Sequence, residues 1–266
     1  MVAITLFGGT GRVGRALGSA ILAADDLALA GILGKRHAGG DYGTLLGGDA
    51  LGIEVVADVD AALAAPSDVV IDYTKPDAVK ANVLSALSAG RHVVIGTSGL
   101  TAADYDEIDA AARAAGRGVL AAGNFSITAT LLRRFAVEAA RYVDDVEIID
   151  YGPAAKTDVP TGTARELAEM LGAVAGPSSA VPIAQLTGAP ATRGAALGGP
   201  RPVQVHSVRV PSYALSCEAI FGADNERLTI RHDAGASTAP YVAGTLLAAR
   251  RVREWTGLRR GLDHLL

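Results

Sequence analysis

The sequence predicts an α/β protein: a parallel sheet covered by helices on both faces, followed by a smaller α+β domain with a mixed or antiparallel sheet. Apolar runs alternate with helical patterns through the first half of the chain, which calls for repeated strand–helix–strand crossovers. The run from Val2 to Phe7 leads straight into the glycine-rich turn Gly8-Gly9-Thr10-Gly11-Arg12-Val13-Gly14, which opens a helix. Past Asn124 the alternation stops, and strands come to follow one another with short turns.

Taken in order, strands are expected at 2–7, 28–33, 69–73, 92–96 and 118–121, with helices near 12–24, 76–89 and 102–115. Ligands of such a sheet gather beyond the carboxyl ends of its strands. Those ends carry residues 8–14, Lys35-Arg36, Asp72-Tyr73-Thr74, Gly96-Thr97-Ser98-Gly99 and Gly123-Asn124-Phe125, all around one crevice. The second part reads as a helix near 127–142, a strand at 146–151, a helix near 163–171 and a Gly/Pro/Ser-rich stretch from 172 to 202. Strands at 203–210, 213–221 and 227–232 and a closing helix near 239–255 follow, the three strands reading as an antiparallel sheet. The stretch 172–202 is too long for a passive connector and reads as a mobile flap or an interface arm. A small domain with an open sheet has an edge or face to cover, so a homo-oligomer, tetramer or dimer, is expected.

Composition narrows the function. The net charge of −4 gives no reason to expect a nucleic-acid partner. With Cys217 as the single cysteine, no intramolecular disulfide and no cysteine-built zinc site can form; it reads as a small apolar filler of a strand. His206 and His232 fall in strand patterns without partners at ligand spacing, so no metal is expected. No basic segment followed by an apolar one opens the chain, and no apolar run reaches the length of a membrane span, which makes the cytoplasm the expected location.

Gly8, Gly11 and Gly14 recur every third residue, letting the backbone approach phosphate oxygens and the new helix pack tightly on its strand. Together with the flanking strand and helix, this reads as the fingerprint of a Rossmann-type dinucleotide site, the plain alternative being an ordinary tight βα turn. The end of the second strand reads Gly34-Lys35-Arg36-His37, with two cations where an NAD-type site offers a carboxylate to the ribose hydroxyls. NADPH is therefore the expected cofactor, with NADH weaker; the plain alternative is a solvated basic turn.

These residues resemble the dihydrodipicolinate reductases, enzymes of bacterial lysine biosynthesis. The resemblance covers nearly the whole chain: the Gly8–Gly14 turn, Val70-Ile71-Asp72-Tyr73-Thr74-Lys75-Pro76, Val94-Ile95-Gly96-Thr97-Ser98-Gly99-Leu100, Ala122-Gly123-Asn124-Phe125-Ser126, the run from Lys156 to Ala164, and Leu228-Thr229-Ile230-Arg231-His232-Asp233. It implies a dinucleotide-binding domain over 1–123 and 238–266, a substrate-binding and oligomerisation domain over 124–237, and hydride transfer from NAD(P)H to a small imine-like substrate. Carried over by position, Gly8, Gly9, Thr10, Gly11, Arg12 and Val13 match the diphosphate loop, and Lys35, beside Arg36, a basic position near the 2′-phosphate. Gly96, Thr97 and Ser98, with Ala122, Gly123, Asn124 and Phe125, match loops around the nicotinamide and its ribose. Gly162 and Thr163 match donors to a substrate carboxylate, and Lys156 matches a proton-donating lysine.

The substrate half departs from that pattern. Family members carry histidines just before the lysine, whereas this chain reads Gly152-Pro153-Ala154-Ala155-Lys156, and Ser212, Ser216 and Ser237 stand where Gly, His and Arg are usual. Without imidazoles, a neutral-pH general acid and contacts to an anionic substrate are missing. Lys156 then reads as the remaining catalytic or anchoring group, with Tyr151 or Asp158 as a relay, against a surface ion, a packed tyrosine and a helix cap. Thr161, Gly162 and Thr163 read as a helix start that holds a carboxylate or is simply capped. The expectation is an NADPH-dependent reductase of a different imine, iminium or conjugated carboxylate. Authentic 4-hydroxy-tetrahydrodipicolinate reduction by another proton route, and a non-catalytic NADPH-binding protein, remain open.

Overall fold

The computed structural model describes residues 1–266, which divide into two compact units, Met1–Ile127 with Thr238–Leu266, and Thr128–Ser237. The first unit is built on β1 (Val2–Phe7), β2 (Leu27–Leu33), β3 (Val55–Val56), β4 (Val69–Asp72), β5 (His92–Ile95), β6 (Gly118–Ala121) and β12 (Gly257–Arg260). They form a sheet ordered β12-β6-β5-β4-β1-β2-β3, with every pairing parallel. The order reverses between β1 and β4, and such a reversal opens a crevice at the strands' carboxyl ends.

Both faces of this sheet are covered, and the pleat shows in which residues go where. Ile4, Leu6, Val69, Ile71, Val94 and Leu120 join one core, packed with α1 (Arg12–Leu22) and α8 (Ala239–Arg251). Their neighbours Phe7, Val70, Val93, Ile95, Val119 and Ala121 join the other, with α3 (Val59–Leu63), α4 (Val79–Ser88) and α5 (Ala102–Ala115). The helix α5 starts on a capping box between Thr101 and Asp104 and ends on Gly116 at φ 65°, so its sequence bounds are sharp.

Two regions of this unit differ from the sequence expectation. The closing helix stops at Arg251, and the chain turns through 252–254 into β12, which adds to the sheet beside β6. Between β2 and β4 lie three short elements, α2 (Tyr42–Leu45), β3 and α3, each too brief to show a period. Asp41 and Asp58 cap the two helices by accepting from the N–H groups of Thr44 and Ala61.

The second unit has β7 (Asp145–Gly152), β8 (Ala195–Leu197), β9 (Val203–Arg209), β10 (Leu215–Ala223) and β11 (Glu226–Ala234) in the order β11-β10-β7-β9-β8. Its helices α6 (Ile127–Ala139) and α7 (Gly162–Gly172) supply Leu132, Ala136, Leu167 and Leu171 to a core with Val146, Ile148, Val205, Ala219 and Phe221. The antiparallel reading of 203–232 is corrected: β10 and β11 pair antiparallel, but β9 lies on the far side of β7 and runs parallel to it. The cause is α7, which carries the chain from β7 to a parallel neighbour as a crossover. The stretch 172–202 is not a bare loop either, since it holds two 3-10 turns and the edge strand β8.

Candidate active site

In the first unit, β1 ends in the turn that carries the glycines. Gly8 has φ 79°, and a Cβ there would stand 2.2 Å from the Tyr73 carbonyl oxygen, so only glycine lets β1 and β4 close together. A Cβ on Gly14 would stand 2.2 Å from the Gly8 carbonyl oxygen, which fixes how tightly α1 folds back on its strand. The turn is also held from outside. Tyr42, fully buried, directs its hydroxyl at the carbonyl oxygens of Gly9 (2.9 Å) and Gly14 (3.1 Å), and burial pushes its pKa up to about 12. No sequence signal marks Tyr42, which sits in a polar, glycine-rich stretch.

Two clefts flank the turn. One, of about 550 Å³, is lined by Gly8, Thr10, Gly11, Lys35 and Arg36, with Lys75 and Asp77 contributing from the segment after β4. The other, of about 300 Å³, is lined by Gly11, Arg12 and Val13 together with Thr97 and Ser98. The expected diphosphate loop, the two cations and the Thr97–Ser98 turn thus share one end of the sheet. The donor set fits a phosphorylated dinucleotide: free N–H groups at a helix start, cations beside them, and glycines where a side chain would fill the space.

The remaining expected cofactor residues, 122–125, follow β6. Asn124 is buried and accepts the Ser126 N–H at Oδ1 (2.8 Å). Phe125 is 1% exposed, its ring 6.1 Å from that of Tyr73, and its carbonyl oxygen lies 2.0 Å from where a Cβ of Gly244 would be. Side chain and carbonyl therefore serve core packing, which leaves the N–H as the group Phe125 has to offer a ligand. Tyr73 is raised well above the usual tyrosine range by burial, and its hydroxyl meets Thr245 Oγ1 at 2.8 Å.

In the second unit, β7 sends successive side chains to opposite faces. Asp150 points to the helix side and is fully buried, accepting from the Thr161 N–H (3.0 Å), Thr161 Oγ1 (2.6 Å), Ser207 Oγ (3.1 Å) and Arg209 Nη2 (2.7 Å). Thr161 is the N-cap of α7, its Oγ1 accepting from the Ala164 N–H. Its hydroxyl proton is committed to Asp150, so of the expected carboxylate donors the N–H groups of Gly162 and Thr163 and the Thr163 hydroxyl remain, at the open start of the helix. Lys156 Nζ lies 2.8 Å from Asp158 Oδ1, and this hydrogen bond holds the Asp158 carboxyl below its usual range. Asp158 is not the cap; its carbonyl accepts from Arg209 Nη2 (2.9 Å).

Tyr151 faces the other way. Its hydroxyl donates to Glu218 Oε2 (3.2 Å), its ring stacks 4.7 Å from Tyr213, and the Arg231 guanidinium lies 4.8 Å over it. Burial raises its pKa. Lys156 and Gly152 meet on the helix side, where Lys156 Cδ is 3.1 Å from a Cβ built on Gly152, so the sequence pairing of Tyr151 with Lys156 is not what the strand delivers. Asp150 and Arg209, which sequence reasoning left without a role, are what braces the loop instead.

Residues 2–125 match the family described as dihydrodipicolinate reductase, N-terminus, and residues 128–266 the one described as dihydrodipicolinate reductase, C-terminus. The 4-hydroxy-tetrahydrodipicolinate reductase of Synechococcus elongatus is 37% identical over 272 residues, covering 100% of this chain and 98% of its own. That of Moorella thermoacetica is 37% identical over 268 residues, with coverage of 100% and 98%. Among solved structures, the dipicolinate-bound dihydrodipicolinate reductase from a Paenisporosarcina species aligns over 100% of both chains with a TM-score of 0.88 at 26% identity. An amine dehydrogenase from Mycobacterium smegmatis, 14% identical with a TM-score of 0.67 over 100% of this chain and 96% of its own, shares the fold.

Proposed function

The chain belongs to the dihydrodipicolinate reductase family, an NAD(P)H-dependent oxidoreductase, and from that premise we propose that it uses NADPH to reduce the C=N bond of a small cyclic imine or iminium carboxylate. Preference for NADPH over NADH is supported by Lys35 and Arg36 on the cleft wall, cations suited to a 2′-phosphate. The N–H groups at the start of α1 suit the diphosphate. When bound, the reduced nicotinamide supplies the hydride.

The chain's own residues do the rest. The N–H groups of Gly162 and Thr163 hold a carboxylate, and the Asp150 contacts to Thr161 and Arg209 keep that helix start in place. Lys156 supplies a positive charge near the substrate, or the proton that nitrogen needs when the imine arrives neutral. The observation that carries the substrate reading is the loop itself: Gly152-Pro153-Ala154-Ala155 has no ionisable side chain, and one ammonium remains, tied to Asp158. Without a neutral-pH acid in the loop, a substrate whose nitrogen is already an iminium is served best, because it needs no proton at the moment of hydride transfer.

A second reading, reduction of 4-hydroxy-tetrahydrodipicolinate with Lys156 as the proton route, is supported by the full-length similarity to reductases of that name and by the dipicolinate-bound neighbour. NADPH consumption by the purified protein, measured with that compound and with a panel of cyclic imines and iminium acids, separates the two. The first reading expects turnover of the iminium acids above that of the dicarboxylate, with a loss in Lys156→Ala; turnover of the dicarboxylate alone selects the second. No turnover with any of them refutes both.

Assembly belongs to the same proposal. The face of the second sheet opposite α6 and α7 presents Ile149, Val208 and Ile220, all half-buried, beside Tyr151. A second copy of this chain would cover them, which supports a homodimer or homotetramer.

A further inference from the structure

The carboxyl end of β4 holds a buried acid that the reading above leaves unused. Asp72 is fully buried. Its Oδ1 accepts from the Thr74 N–H (2.9 Å), Thr74 Oγ1 (2.7 Å) and Thr97 Oγ1 (2.7 Å), and its Oδ2 accepts from Asn82 Nδ2 (2.9 Å). A carboxylate offers only acceptors, so both threonine hydroxyls must donate inward. Each hydroxyl has a single proton. What Thr97 turns toward the cleft it lines is therefore lone pairs.

We propose that Asp72 is a positioning residue that makes Thr97 an acceptor, selecting the hydrogen-bond-donating end of the dinucleotide, a ribose hydroxyl or the carboxamide NH₂ of the nicotinamide riboside. This rests on the dinucleotide reading of the two clefts. Phosphate oxygens only accept, and they find donors at the start of α1 and at Lys35 and Arg36. Thr97 itself offers them only lone pairs with a buried acid behind, although Arg12 and Ser98 line the same cleft. On this proposal the acceptor at Thr97 biases the cofactor to lie with its phosphorylated adenosine toward Lys35 and its hydrogen-bond-donating end toward Thr97.

The network leaves the hydroxyls little freedom. Asn82, 6% exposed, spans Asp72 Oδ2 and Thr74 Oγ1 (3.1 Å), linking α4 to the turn after β4. Thr97 comes from the turn after β5, and its only other acceptor in reach is the Asp72 carbonyl at 3.3 Å. Rotating the Thr97 proton outward would strip the carboxylate of one donor, which a buried acid does not tolerate cheaply.

The test compares two ligands by calorimetry: NADPH, and 2′,5′-ADP, which carries only the phosphorylated adenosine end. Thr97→Val keeps the shape and removes the lone pairs, and it is expected to weaken NADPH about tenfold while leaving 2′,5′-ADP unchanged. Thr97→Ser restores NADPH binding. Asp72→Asn, whose amide can donate to Thr97 and release the hydroxyl proton outward, shows the same split between ligands. Thermal melts check folding, and if Asp72→Asn does not fold the Thr97 pair decides alone. Equal losses for both ligands, no loss for either, or a serine variant as weak as the valine one overturns the proposal. Wild-type protein that binds neither ligand refutes the cofactor reading itself, and the proposal with it.

Discussion

Replacing Tyr42 by Phe removes one oxygen from the interior of the first unit and nothing else. The hydroxyl lies 2.9 Å from the Gly9 carbonyl oxygen and 3.1 Å from that of Gly14, in a side chain with no exposure to solvent. Volume is conserved, so no cavity term enters; the loss is a buried hydrogen bond and part of the desolvation of the Gly9 carbonyl, about 1–2 kcal/mol together. The Gly14 carbonyl lies inside α1 and keeps its helical partner. For a chain of this size each kcal/mol lowers Tm by about 2–4 °C, so the melt should fall by about 2–8 °C. The same bond fixes the turn at which the diphosphate is proposed to bind, so affinities for NADPH and NADH should both fall about three- to tenfold, and by the same factor. Thermal melts and titrations on the two proteins provide the measurement. A variant that melts and binds as the wild type does, or one that loses NADPH alone, would refute the reasoning, the latter by tying Tyr42 to the 2′-phosphate.

Selective loss of NADPH is instead expected of Lys35→Ala with Arg36→Ala: a weakening of about tenfold or more, about one charged contact's worth, against little change for NADH. Titration with both nucleotides decides it, and an equal loss excludes the phosphate role. Asp150→Ala leaves the Arg209 guanidinium, 15% exposed, without its carboxylate, and should cost about 3–5 kcal/mol in urea unfolding. Thr161→Ser, which keeps both contacts to Asp150, should cost far less; similar losses in the two variants would remove Asp150 as the brace. Glu147 is held below its usual range chiefly by its hydrogen bond to Arg193, then by His206. Its folded pKa is the lower one, so the stability it contributes is present above the ordinary glutamate range and is lost as pH falls through the depressed value. Acid titration of Glu147→Gln should therefore show a shallower loss of stability below about pH 4.5 than the wild type shows, and coincident curves would count against it.

Much of the first sheet can be read directly because its strands are buried on both faces and appear as unbroken apolar runs ended by glycine turns. Val2–Phe7 and Gly118–Ala121 are bounded in the sequence as they are in the structure. What stays hidden has no period to detect: β3 is two residues long, and β12 is four residues lying a few residues beyond the closing helix. In the second unit, strand existence is legible but partnership is not, since nothing in 203–209 says that it pairs with β7 rather than with the strand that follows it. The candidate site divides in the same way. Glycines and cations announce themselves by type and spacing, whereas Tyr42, Asp72 and Asp150 act through contacts 10 or more residues away. Tyr151 and Lys156 lie close in sequence, but the pleat of β7 turns Tyr151 to the face opposite Gly152, which Lys156 meets.

The bond from Asp150 to Thr161 closes the segment between them into a ring, because its two ends are tied by a carboxylate that belongs to the scaffold. None of the side chains from Pro153 to Ala155 takes part in that closure. The rim of the ring is thus free of the closure: substitutions at 153–155 should leave the mount that carries them assembled. Divergence of chemistry at constant architecture needs no more than this, and a designer wishing to retune the enzyme would begin there.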